Sequence, residues 1–235
     1  MTIVAIHQPN LFPWLGYFDK ILRADTFIFL DDAQYQKTGG SWSNRVKLLI
    51  NNEGRWLTVP VERSFHGLRN VNEMVFSSKE DWRSKVLKTL VLAYKSAPFF
   101  DEAYSAIEPL VQNPQDNVAE YNIHAIKSLV TAMGYSTNLL IRSSDLPTSS
   151  YATERLIEIT EHVCGAVYLC GDGASGYQDN DLFQKVGIKV LYQNFSHPLY
   201  PQYGNENFVA GLSILDAIMN LGFEGVLELL KNNVK

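Results

Sequence analysis

Residues 3–32, IVAIHQPNLFPWLGYFDKILRADTFIFLDD, combine a buried-strand signal, a polar turn and a second strand. Ile3, Val4, Ala5 and Ile6 form an apolar run that ends in His7-Gln8-Pro9-Asn10, the pattern of a buried parallel strand giving way to a loop. Phe18, Ile21 and Leu22 at helical spacing predict a helix, and Thr26 to Leu30 predicts a second strand closing on Asp31-Asp32. The unit reads β-loop-α-β. Ligands of open parallel sheets bind outside the carboxyl ends of strands, so His7, Gln8, Asp31 and Asp32 are expected to face one region.

The same alternation returns late in the chain. Residues 138–141 read as strand, 154–162 as helix, 166–170 as strand, 181–186 as helix and 188–192 as strand. Two βαβ crossovers imply parallel pairing, so the expected class is α/β: a Rossmann-like, mostly parallel sheet with helices on both faces. Between the two alternating regions, AQYQKTGGSWSNR reads as a loop. Val46–Ile50 and Arg55–Val61 read as a β-hairpin around the glycine-ended turn Asn51–Gly54, and residues 62–76 as a surface loop. Ser77 and Glu80 have capping-box spacing ahead of an amphipathic helix through Trp82, Val86, Leu90 and Tyr94. Phe99–Val111 is a second helix. Asn113-Pro114 is expected to open a third, with a buried stripe of Val118, Tyr121, Ala125 and Leu129 ending at Gly134. Residues 78–134 are therefore expected to be a helical insertion or subdomain of a single α/β domain spanning 1–235. A last helix opens at Ser213, stops near Gly222 and is followed by an amphipathic piece through Leu230.

Composition supports a core: 46% of residues are hydrophobic and 12% aromatic, which excludes a disordered chain. Twenty Lys and Arg against 25 Asp and Glu give a net charge of −5, so the whole-molecule field does not attract a nucleic acid backbone. A local basic patch stays open. MTIVAIHQPN lacks the features of a signal peptide and no apolar run approaches about 18 residues, so a cytoplasmic protein with no membrane partner is expected. Cys164 and Cys170, without CxxC spacing, support neither zinc nor a disulfide framework.

Several side chains are suited to chemistry. His7 is a candidate general base, and His197, in Ser196-His197-Pro198 after the last strand, is a second. Asp31 and Asp32 suit orienting a histidine, binding a sugar hydroxyl or holding a cation; no further carboxylates appear at metal-ligand spacing, so no metal site is expected. Gly171-Asp172-Gly173-Ala174-Ser175-Gly176 follows a strand and precedes a helix, where backbone amides can cradle a phosphate, although it is neither GxGxxG nor a Walker loop. Cys170 is a nucleophile only with a histidine in reach. Trp42, Asn44 and Arg45 combine a stacking face with a fork donor. Gln8, Asn10 and Gln34 are further substrate-contact candidates, and Tyr177, Tyr200 and Tyr203 are candidate aromatic walls. Trp14, Phe18, Trp56 and Trp82 are assigned to packing.

HQPNLFPWLGYFDKILRADTFIFLDDAQYQK, SWSNRVKL, WLTVPV, YLCGDGASGYQD, YQNFSHPLYPQYG and LSILDAIMNLG, in that order, resemble the WbqC-like family over nearly the whole chain. HQPN matches the family's opening motif and His197-Pro198 its histidine-proline; the family pattern has serine where this chain has Cys170. The resemblance implies a bacterial protein associated with O-antigen and other surface-polysaccharide gene clusters. It points to an enzyme modifying a nucleotide-linked amino sugar by acyl or aminoacyl transfer. The implied partners are the nucleotide-sugar and an acyl or aminoacyl carrier, an aminoacyl-tRNA being the one nucleic acid considered; no cofactor is specified. An alternative is nucleotidyl transfer of the HxGH kind, for which His7 matches but Asn10 stands in place of the second histidine. A non-catalytic module binding a sugar intermediate is a third reading.

Overall fold

In the computed structural model, which describes residues 1–37, 40–137, 139–173 and 178–233, the opening apolar run is β1 (Ile3–His7), the middle strand of a five-stranded parallel sheet. Its side chains alternate between two cores. Ala5 packs with Phe27, Phe29 and Leu169 on one face, and Val4 and Ile6 pack with Ile28, Tyr168 and Cys170 on the other. A strand covered on both faces has no solvent side to mark with polar residues, hence its uninterrupted apolar pattern.

From β1 the chain runs through α1 (Leu15–Arg23) to β2 (Thr26–Phe29), which pairs with β1 from Val4↔Thr26 to His7↔Phe29. A separate antiparallel hairpin follows, β3 (Arg45–Ile50) and β4 (Glu53–Thr58), and then α2 (Trp82–Tyr94), α3 (Phe100–Val111) and α4 (Val118–Ala132). The chain re-enters the sheet at β5 (Leu140–Arg142) and alternates through α5 (Ala152–His162), β6 (Val167–Cys170), α6 (Asn180–Lys185) and β7 (Lys189–Tyr192) to α7 (Ile214–Asn233).

The spatial order is β5-β2-β1-β6-β7, all parallel. The chain steps outward from β1 to β5, then returns to β6 on the other side of β1. Right-handed crossovers in two opposite directions must put their helices on opposite faces. Accordingly α1, α4 and α7 pack on the face of Ala5, and α5 and α6 on the face of Val4 and Ile6. The inserted helices share the first of these cores, to which they contribute Leu90, Ile107 and Ile126. Among the described residues no helix is long and apolar enough to cross a membrane.

Local expectations are corrected at four places. The cap of α2 is Asp81, whose carboxylate accepts from the Ser84 amide at 3.1 Å, whereas Ser77 Oγ accepts from the Lys79 amide. A true capping box, Asn70 with Glu73, lies in the stretch read as surface loop, where Val71, Met74 and Phe76 are buried. Asn113-Pro114 does not open α4; Phe76 N–H bonds the Asp116 carbonyl and Val75 bridges Asn117, so the chain stays extended until Asn117 caps the helix. The hairpin turn is Asn51-Asn52, both left-handed at φ 52° and 63°, as a two-residue hairpin loop requires and asparagine tolerates. Gly54 sits within β4. Asn138, at the start of the expected strand 138–141, lies outside the described residues. Gly222 does interrupt the last helix, at φ 72°, where a Cβ would come within 2.8 Å of the Phe99 ring.

Candidate active site

The strand order reverses between β1 and β6, and a cavity of about 530 Å³ opens there at their carboxyl ends. The end of β1 contributes His7, Gln8 and Asn10, and the end of β6 Gly171, Asp172 and Gly173. α1 contributes Tyr17 and Lys20, with Trp14 at its start, and the loop before the hairpin contributes Gln36, Ser41 and Trp42. The volume is in the range of small-molecule sites, ~300–1,000 Å³.

The turn from β1 to α1 is held from three directions. Asn122 of α4 donates to the Pro9 carbonyl at 3.0 Å and the Ser43 carbonyl at 2.8 Å, the Leu11 amide donates to the Trp42 carbonyl at 2.9 Å, and Ser213 Oγ donates to the Phe12 carbonyl at 2.6 Å. Phe12, buried at φ 40°, occupies a strained conformation that only such bracing sustains. Glycine is required at position 16 for lack of space. A Cβ on Gly16 would stand 2.2 Å from the Trp14 ring, so only glycine lets that indole lie across the helix start into the cavity wall.

Three titratable groups of the wall are strongly perturbed: burial pushes the Tyr17 hydroxyl well up, and Lys20 and His7 are shifted down. Lys20 is 3% exposed; its ammonium donates to the Ile6 carbonyl at 3.2 Å, and no carboxylate among the described residues lies within ion-pair distance. Burial lowers its pKa to about 8, opposed by the more distant Cys170 and Asp172. His7 contacts Tyr17 edge-on at 4.8 Å, and its Nδ1 lies 3.1 Å from the Gln8 carbonyl, which also accepts from Tyr17 Oη at 3.1 Å. A carbonyl only accepts, so the proton is assigned to Nδ1 and Nε2 carries the lone pair. Desolvation, and next the Lys20 charge, lower the His7 pKa to about 3. His7 is thus neutral across the physiological range. Behind Lys20, buried Asp19 accepts from Gln193 Nε2 at 2.7 Å and Arg23 at 3.5 Å, with its pKa raised by burial.

The cavity wall brings together His7, Gln8, Asn10, Trp42, Gly171, Asp172 and Gly173, and leaves the other candidates among the described residues elsewhere. Asp31 is 1% exposed and turned toward the end of β5, accepting from Ser144 N–H at 3.1 Å, Ser144 Oγ at 2.7 Å and Ser143 Oγ at 3.1 Å. Asp32 accepts from Ser143 Oγ and pairs with Arg155. His197 stands behind Trp14, ring centroids 5.3 Å apart, so it reaches the cavity only through that indole; burial, and next Lys47, lower its pKa. Asn44 is buried between Tyr35 Oη and the Val59 carbonyl, at 3.1 and 2.7 Å. Arg45 lies over Trp56, 4.2 Å from its centroid. Gln34 is exposed and bridges Asn70. Tyr200 is core, donating to Asp216 at 2.7 Å, and Tyr203 is 59% exposed. Tyr177 and residues 174–176 lie outside the described residues. Cys170 is fully buried on the Val4 and Ile6 face, with burial raising its thiol pKa. Asp172 accepts from the Asn194 and Phe195 amides at 2.7 and 3.2 Å, which ties the ends of β6 and β7 together. Two residues assigned to packing are not core: Trp14 lines the cavity and Trp56 is 39% exposed.

Lys20, Tyr17 and Gln193 are wall residues that sequence reasoning passed over. The available signal was a lysine inside the apolar stripe of Tyr17, Phe18 and Ile21. Among the described residues no three His, Cys, Asp or Glu side chains converge to hold a metal ion.

No solved structure matches the chain. A Mycobacterium tuberculosis protein described as uncharacterized protein Rv1507c is 30% identical over 227 residues, covering 95% of this chain and 96% of that protein. The model of the WbqC-like protein family matches residues 8–228, from the glutamine after His7 to within a few residues of the end of α7, and the chain belongs to that family.

Proposed function

We propose that the protein is a transferase placing an acyl or aminoacyl group on the amine of a nucleotide-linked amino sugar, in bacterial surface-polysaccharide synthesis. The polysaccharide setting rests on the family resemblance. The chemistry rests on Lys20, a buried amine without a carboxylate partner among the described residues, titrating at about 8 in the wall of a switch-point cavity. An amino sugar arrives largely as an ammonium and must lose a proton before attack. Lys20 Nζ takes that proton, and the sugar nitrogen then attacks the acyl carbonyl carbon. A C–N bond forms, and the tetrahedral intermediate collapses with cleavage of the bond to the carrier's oxygen or sulfur, which leaves with the electron pair and takes up the second proton of the attacking nitrogen. Neutral His7 offers Nε2 as a fixed acceptor for the attacking N–H, and Asn10 and Gln8 offer amides to sugar hydroxyls. The test is amide formation, followed by mass spectrometry, from an acyl thioester or an aminoacyl-tRNA and a nucleotide-linked amino sugar. Wild type should form product and Lys20→Met should not; full activity in Lys20→Met overturns the reading.

The runner-up is nucleotidyl transfer, favoured by one observation: His7 and Asn10 share the wall at the end of β1 in the positions of an HxGH pair. Pyrophosphate release from a nucleoside triphosphate with a sugar phosphate would establish it.

A further inference from the structure

Charge is unevenly distributed along the chain. Residues 33–70 carry Lys37, Arg45, Lys47, Arg55, Arg63 and Arg69 against Glu53 and Glu62, a local charge of +4 in a molecule of net −5. Among the described residues only Arg55 of these six is ion-paired, with Glu53 at 3.0 Å. The same stretch presents aromatic faces. Trp42 and Trp56, 41% and 39% exposed, meet edge-on with centroids 4.8 Å apart. The Arg45 guanidinium lies 4.2 Å from the Trp56 centroid and 5.8 Å from that of Trp42, and its buried Nε has no hydrogen-bond partner among the described residues. Strand register places Lys47 opposite Trp56 on the same hairpin face. Phe65 is flanked by Lys37 Nζ at 3.9 Å and the Arg69 guanidinium at 4.5 Å.

The first cluster reaches the cavity directly, and the second adjoins it in sequence. Trp42 and Gln36, the neighbour of Lys37, both line the cavity. Tyr35 joins the clusters, its amide donating to the Arg69 carbonyl at 2.8 Å and its hydroxyl to Asn44, next to Arg45, at 3.1 Å. Flat rings between cations that lack carboxylate partners are the chemistry of single-stranded nucleic acid: bases stack and phosphates meet the charges. A duplex hides its base faces, an acidic protein brings carboxylates without stacking rings, and a single nucleotide brings one base to two ring clusters.

We propose that the hairpin and the loop carrying Phe65 bind single-stranded nucleic acid and bring its terminus to the cavity mouth. Its use as an aminoacyl donor rests on the transfer reading above, but the binding itself does not.

The test is fluorescence anisotropy of the full chain with a fluorescein-labelled, unstructured 12-nucleotide RNA, alongside its duplex, uridine diphosphate and an acidic acyl carrier protein as competitors. The single strand should bind at least about tenfold tighter than the duplex, and log affinity should fall with log salt by roughly 0.7 per phosphate contacted. Trp42→Ala and Trp56→Ala should each weaken binding about tenfold, the scale of one lost base stack. Arg69→Glu should make the salt slope shallower, and Lys189→Glu, at the exposed start of β7, should change nothing. Thermal melts of each variant confirm folding, and because three variants probe two clusters the loss of one leaves the test intact. Equal affinity for duplex, equal competition by uridine diphosphate or the acidic protein, or binding indifferent to both tryptophans overturns the proposal. Loss of RNA binding with intact transfer from a small thioester refutes this inference alone; intact RNA binding without any transfer refutes the enzymatic reading alone.

Discussion

Two polar clusters occupy the carboxyl edge of the same sheet. At the ends of β2 and β5, Asp31 meets the Ser144 hydroxyl and amide, Asp32 meets the Arg155 guanidinium, and the two carboxylates share the single proton of the Ser143 hydroxyl. The donors come from the turn that follows β5 and, for Asp32, also from α5, and neither carboxylate lies in the cavity wall. At the ends of β1 and β6, His7 and Lys20 each have one carbonyl partner and further hydrogen-bonding capacity, and both line open space. The difference follows from topology. Adjacent strands whose crossovers run the same way have their ends covered by the connection that follows, whereas the reversal between β1 and β6 sends the two connections to opposite faces and leaves a gap. Polar residues at a strand end thus mark a site only where the chain does not return to cover them.

The largest effect expected from this contrast is on rate. Lys20→Met keeps the volume of the buried stem and removes a desolvated charge, so thermal stability should be equal or higher while transfer falls by about 10²- to 10⁴-fold, the usual scale for a lost proton acceptor. Asp31→Ala should do the reverse. It leaves Ser144 N–H and Ser144 Oγ without their acceptor, Ser143 Oγ keeping Asp32, and costs about 1–3 kcal/mol, or roughly 2–12 °C in Tm at this chain length, while the rate below the melt stays within about threefold of wild type. An Asp31 variant that folds normally and is dead would break the comparison.

Acidity separates the clusters next. The ordinary pKa of His7 is 6.5 and its folded value about 3, so between these limits the unfolded chain carries a proton that the native chain lacks. Stability contributed by neutral His7 is therefore present above pH 6.5 and is lost as pH falls toward 3, by at most about 1.4 kcal/mol per pH unit. His7→Gln should flatten the dependence of urea midpoints on pH between about 6.5 and 4.5. In the rate profile, the value of about 8 for Lys20 predicts a rise in kcat/KM through that pH and no limb near 6.5. A limb in that lower range that disappears in His7→Gln would return the general-base role to the histidine.

Much of this was legible from residues. The strands were readable because a sheet buried on both faces leaves continuous apolar runs, and His7 was placed by the polar turn that ends the first of them. The fault lay in treating all strand ends alike: Asp31 and His7 look equivalent until the strand order is known, and strand order is set by pairings between residues as distant as Ile3 and Val167. Lys20 was missed for another reason. A lysine in a helix normally marks the solvent side, but α1 is packed between the sheet and α7 and is buried from Leu15 to Ile21, so the polar position had no solvent side to face. The exposure of Trp56 was equally hidden, because an aromatic residue in a strand reads as core whichever face the hairpin presents.

The smallest effect is expected at Cys170. Its position immediately before Gly171 suggests a nucleophile, yet Cys170 is fully buried, packed in the cluster of Val4, Ile6 and Phe183, and is not itself a lining residue although its neighbours Tyr168 and Gly171 are. Burial also holds the thiol protonated, the unreactive form. Cys170→Ser should therefore leave the transfer rate within about twofold and lower stability by about 1–2 kcal/mol, the cost of a hydroxyl in an apolar pocket. The measurement is steady-state transfer with intact-mass analysis of enzyme incubated with acyl donor alone. Wild type and Cys170→Ser should both remain unmodified on that residue; an acyl thioester on Cys170 in wild type, with a folded but inactive serine variant, would move the chemistry from the cavity floor at Lys20 to the buried face of β6 and end the distinction between the two clusters as drawn.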